Sequence, residues 1–149
     1  MSTPTAAQMF SAAWESPSFY LGELESNADY SGLSTNPSKQ YFAVDVVAAT
    51  GAGVAGPSAV QLASTSGQAI IGILQNNPQL AESAQVMVHG VSKAVIGASI
   101  TSIGTILTTN AAGQLIPAAS GNFGCGKSLQ AGVSSGQIIP VLLLGLGKQ

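Results

Sequence analysis

The apolar positions of this chain come in short runs broken by glycine, asparagine, proline and serine. Residues 69–74 (AIIGIL) form one such run, closed by the turn signal Asn76-Asn77-Pro78. From Gln85 to His89 the pattern has period two. Val86 and Val88 fall on one face, and Gln85, Met87 and His89 on the other. A second run, residues 91–96, follows Gly90. It is either the continuation of one strand bent at the glycine or the return arm of a tight hairpin. The bent strand is preferred, because glycine inside a strand marks a bulge or bend. Residues 105–108 and 114–116 flank Asn110-Ala111-Ala112-Gly113, where Asn first and Gly fourth suit a type I turn whose last residue is left-handed. The pattern predicts a β meander.

Around this centre the same reasoning extends the strands. Residues 41–48 alternate, with Tyr41, Ala43, Asp45 and Val47 opposed to Phe42, Val44 and Val46. Residues 50–58 read as a loop, 59–63 as a short strand and 124–131 as a weaker one. Ser134-Ser135-Gly136 turns the chain into residues 137–144, the most apolar run. Pro140 lacks an amide donor, which predicts an edge strand, a bulge or a place against a neighbouring subunit. Many short, evenly spaced strands predict a mainly β, single-domain body: a small barrel, a tulip-like barrel or a sandwich. The longest apolar run is far short of the ~20 residues of a membrane helix, and the first residues lack the basic and apolar regions of a signal peptide.

Composition adds an asymmetry. Phe10, Trp14, Phe19, Tyr20, Tyr30, Tyr41 and Phe42 precede residue 43, and Phe123 alone follows. Residues 1–45 hold Glu15, Glu23, Glu25, Asp29 and Asp45 against Lys39, whereas residues 46–149 hold Glu82 against Lys93, Lys127 and Lys148. The chain therefore divides into an extended N-terminal arm, residues 1–40, and a β body, residues 41–149. Residues 5–14 suit a short helix ended by Pro17, and residues 34–38 a linker or turn. Aromatics spaced along an arm make anchors for a partner's pockets. Phe10, Trp14, Phe19 and Tyr20, then Tyr30 and Tyr41, are the expected capsid- or subunit-interface anchors. The alternative is an arm that folds back to plug its own body. On the docking view, deletion of residues 1–40 leaves a folded body.

Charge and chemistry exclude several classes. Charged residues are 7% of the chain, against about 25% in ordinary soluble proteins, and its polar surface falls to 45 Ser, Thr, Asn and Gln residues. Four scattered lysines and a net charge of −2 offer nucleic acid no footprint. Gly121–Ser128 (GNFGCGKS) fits the phosphate-cradling pattern G-x-x-x-x-G-K-[ST]. Its context fails: glycines interrupt any following helix, 21 residues remain, and no carboxylate follows Glu82 to hold Mg²⁺. His89 is the sole histidine and Cys125 the sole cysteine, which leaves a His–Cys pair as the one nucleophilic option. Glu23 with Glu25, and Lys93 among valines, have structural readings that serve better. No cofactor, metal or catalytic residue is expected, and the chain is expected not to be an enzyme.

The order of elements resembles the capsid-decoration, or cement, proteins of tailed bacteriophages. The resemblance is carried by Gly72-Ile73-Leu74-Gln75-Asn76, by residues 84–97 (AQVMVHGVSKAVIG), and by Ile103-Gly104-Thr105-Ile106-Leu107 leading into Asn110-Ala111-Ala112-Gly113-Gln114. Residues 124–129 and 136–144 complete it, so that it covers about residues 41–145. It implies a small β domain, usually trimeric, bound to the major capsid protein at local three-fold positions on the outer surface of the virion, and made in the host cytoplasm. The expected role is to brace the head, with neither nucleic acid nor membrane as partner. Two rivals stand beside it: a fibre- or tail-associated adhesion module binding a carbohydrate or receptor, and the nucleotide-binding enzyme suggested by Gly121–Ser128.

Overall fold

A computed structural model describes residues 19–21, 24–33 and 36–149, and within these it is all β. Ten strands follow in chain order: β1 (Phe19–Leu21), β2 (Glu25–Ser26), β3 (Ala43–Ala48), β4 (Ser58–Leu62), β5 (Gly72–Leu74), β6 (Val86–Val95), β7 (Ile106–Thr109), β8 (Leu115–Pro117), β9 (Phe123–Ser128) and β10 (Ile138–Lys148). The hydrogen-bonded order is β2-β4-β3-β5-β6-β10-β9-β7-β8, with β1 attached to β6 outside this path. The path is open, with ends at β2 and β8. One parallel bridge, Ile96 to Leu115, brings the β8 side back against the end of β6.

β6 holds the two halves together. Its first residues pair with β5, Ile73 to Met87 and Leu74 to Val86. From Gly90 to Val95 it pairs with β10. The change of partner falls at Gly90, whose φ of 105° belongs to glycine. The expected bent strand is therefore what forms, and the bend passes one strand from one half-sheet to the other.

Period-two alternation then sorts the core. Ala43, Ile73 and Met87 face Ala94, Leu107, Ile139, Val141 and Leu143, forming the main cluster between the half-sheets. Their neighbours Val44, Leu74 and Val86 face the opposite way into a second cluster. That second face is covered by the chain before residue 40. Leu24 and Ala28 pack against it, and Tyr30 is buried in it. Backbone bonds fix the cover: the Ser26 amide donates to Glu82 O, Asn27 to Val60 O and Tyr30 to Pro78 O, at 2.8–2.9 Å. The boundary expected at residue 40 thus does not coincide with a break in hydrogen bonding.

Local chemistry accounts for the turns. At Asn110 the side-chain oxygen accepts from the amides of Ala112 and Gln114, at 2.9 and 3.0 Å. Gly113, at φ 76°, closes the expected type I turn. Pro140 departs from expectation, because β10 is an interior strand with β6 on one side and β9 on the other. The β9 ladder ends at Val141–Ser128, and one residue beyond it the Pro140 carbonyl accepts from the Leu129 amide at 3.0 Å. The missing donor falls where β9 has already stopped, so the ladder loses nothing. For the same reason the expected strand over residues 124–131 ends at Ser128.

Candidate functional site

Phe10 and Trp14, with the helix expected over residues 5–14, lie outside the described residues, as does Glu23. Phe19 and Tyr20 stand on β1, antiparallel to β6. Tyr30 requires a correction. Its ring is 6% exposed, and its hydroxyl accepts the Leu62 amide at 3.1 Å. Burial pushes its pKa above the usual tyrosine value. A ring enclosed in its own body is not an anchor for another chain. Tyr41 is half-buried against the main cluster, at φ 68°, with Lys93 Nζ 5.8 Å from its ring centre.

The phosphate-loop match falls on a strand. Phe123–Ser128 is β9, between β10 and β7 in the sheet. Lys127 sits opposite Leu142 on one side and Ile106 on the other. Ser128 is fully buried: its Oγ donates to Ser102 O at 3.0 Å and accepts from the Thr105 amide at 3.1 Å. A Cβ at Gly126 would stand 2.1 Å from Leu142 O, so close backbone packing demands that glycine. The amides that would cradle a phosphate belong to the ladder instead.

The nucleophile option dissolves in the same way. Cys125 Sγ donates to Leu107 O at 3.2 Å, and burial pushes its pKa up to about 12, opposite to an activated thiol. His89 is exposed on β6, and β10 runs between β6 and β9. Glu25 Oε2 accepts the Ala55 amide at 2.6 Å, a local structural bond. Among the described residues no three His, Cys, Asp or Glu side chains gather as metal ligands, and no helix is long and apolar enough to cross a membrane.

Two surfaces suit a partner instead. A rung of the second half-sheet runs Val91–Leu142–Lys127–Ile106, with Val91 53% and nearby Ile138 48% exposed. The other is a cleft of about 310 Å³ lined by Ile70, Ile71, Val88, Phe123, Leu143 and Leu144, with Cys125 and four glycines in its wall. It opens where β10 parts from β6 after the Leu143–Gly90 pair. Neither surface was read from the sequence. The Leu-Gly-Leu-Gly stretch at residues 144–147, where β10 breaks its register with β9, was the available signal.

No protein-family model matches the chain, and no curated protein sequence matches it. Among solved structures its fold is similar to that of the N base of head fiber gp8.5 from bacteriophage phi29. The TM-score is 0.60 at 14% identity, over 89% of this chain and 96% of that one. At this identity the likeness is one of fold.

Proposed function

We propose that the chain is a structural protein of a phage head, seated on the outer surface of the capsid. The observation that carries this reading is the fold likeness to a head-fiber base, which spans nearly the whole of both chains. The resemblance of residues 41–145 to capsid-decoration proteins points the same way. The barely charged body, with Val91, Leu142 and Ile138 on an open sheet face, is a surface that a permanent assembly would cover.

In its finer form, three copies sit on the major capsid protein at a local three-fold. Stable interfaces bury ~1,600 Å² in total, and three arms multiply that grip. Phe10, Trp14, Phe19 and Tyr20 are the aromatics assigned to coat or subunit seams. No enzymatic step is assigned. Light scattering of the purified protein is expected to give a trimer. Electron microscopy of cognate shells mixed with it is expected to give density at local three-folds. A monomer that leaves the shells bare overturns the reading. The neighbour's description as a fiber base also favours a second reading, a fibre-associated adhesion module, for which specific retention on a glycan array is the distinguishing result.

A further inference from the structure

The register of β1 fixes where the chain before it is delivered. Phe19 pairs with His89, Tyr20 with Met87 and Leu21 with Val86. β5 pairs with the same Met87 and Val86, so β1 occupies the opposite edge of β6. That is the edge β10 holds from Gly90 onwards. The two strands therefore lie end to end along β6. The Phe19–His89 pair at the start of β1 stands next along β6 to the Leu143–Gly90 pair, where β10 turns away. The cleft opens at this fork, with Val88, Leu143 and Leu144 in its wall.

The cleft has the chemistry of a seat for one large apolar side chain. It lies at the small end of the range for ligand pockets, and among the described residues no charged side chain lines it. Phe123 stands at it, 41% exposed and the sole aromatic after residue 42. Trp14 is five residues before Phe19, an extended reach of about 17 Å. Glu15 is the sole charge in residues 1–18. Lys148 pairs with Phe123 in the ladder, and no Asp or Glu side chain follows Glu82. Apolar lining, an exposed ring and a nearby lysine match an acidic segment bearing an indole.

We propose that in the unattached protein Trp14 seats in this cleft of its own chain, beside Phe123 and against Cys125. Seating it there removes the chain's one indole from water and leads the leading segment onwards along the line of β1. Coat attachment would compete for the same side chain. The proposal goes beyond the head-surface reading and stands apart from it, since its test needs no coat.

Trp14 is the only tryptophan and Cys125 the only cysteine, so the full-length protein carries its own probe pair. Sulfur packs favourably on aromatic rings, and a thiol in contact quenches indole fluorescence. Emission is expected to be blue-shifted relative to the urea-unfolded chain and several-fold less accessible to acrylamide. Cys125→Ala is expected to brighten it, and Phe123→Ser to shift it red and restore acrylamide access. Trp14 emission like that of the unfolded chain overturns the proposal. So does a shielded Trp14 that responds to neither substitution. A refolded mixture of Trp14→Phe and Cys125→Ala chains separates the sources. Bright emission supports the same-chain seat, and renewed quenching moves the indole into a sister copy's cleft and overturns it.

Discussion

At the scale of single residues, Tyr30 shows how an amphipathic side chain is misread from sequence. Among Ser, Gly and Asp, and six aromatics along the same stretch, it reads as an outward anchor. Its ring instead fills the second cluster with Val44, Val60 and Leu74, and its hydroxyl takes the Leu62 amide as a ladder partner would. Period-two patterning locates strands. It is silent on which irregular segment will lie over their second face. Tyr30→Phe keeps the ring and removes the acceptor, leaving a part-buried amide unpartnered. The expected loss is about 1–3 kcal/mol, or roughly 2–4 °C in Tm for each kcal/mol in a chain of this size. Urea unfolding checks it: the midpoint falls while the slope is unchanged.

At the scale of elements, the strands were legible and their partners were not. Val86 and Val88 alternating with Gln85, Met87 and His89, then Gly90, then a second apolar run, were enough to read a bent strand. The Asn110–Gly113 turn was equally readable, because a side-chain acceptor and a left-handed glycine sit at fixed offsets. Pro140 pointed to an edge, a bulge or a neighbouring subunit because proline removes a donor, a rule about one residue. Whether that donor is needed depends on where β9 ends, a fact about another strand. The Gly121–Ser128 match failed for a related reason: the letters fit a loop, but Gly126 serves the approach of Leu142 O.

The bend itself is testable. Gly90 is buried at φ 105°, a conformation that costs other residues about 1–3 kcal/mol. Gly90→Ala is expected to destabilise by at least that amount. Because β6 pairs with both half-sheets, both are expected to melt in one transition rather than one after the other. Gly56→Ala is the control. It lies in a loop without a left-handed φ, and its nearest would-be contact is an ordinary 3.5 Å. The expected effect is neutral to slightly stabilising. Thermal scans by circular dichroism and by tyrosine absorbance distinguish a shared shift from a split transition.

At the scale of the molecule, the division into arm and body depends on where cover ends and free chain begins. Composition placed that line at residue 40, close to where the run of aromatics ends at Phe42. Hydrogen bonding places residues 24–33 within the body, over Val44, Val60, Leu74 and Val86. The two criteria differ because a segment rich in aromatic rings can serve either as leader or as lid. Removal of residues 1–18 leaves the cover intact, and the shortened chain is expected to fold with a single cooperative urea transition. Removal of residues 1–40 strips Leu24, Ala28 and Tyr30 from the second cluster. A large buried aromatic alone is worth about 3–5 kcal/mol, against a total of about 5–15 kcal/mol for a domain. The longer deletion is therefore expected to bind a hydrophobic dye and lose its sharp transition, and a well-folded product would return residues 24–33 to the arm. Only the shorter deletion gives a clean measure of what the leading aromatics contribute to attachment. If shells bind it as tightly as the intact chain, Phe10 and Trp14 grip nothing on the coat.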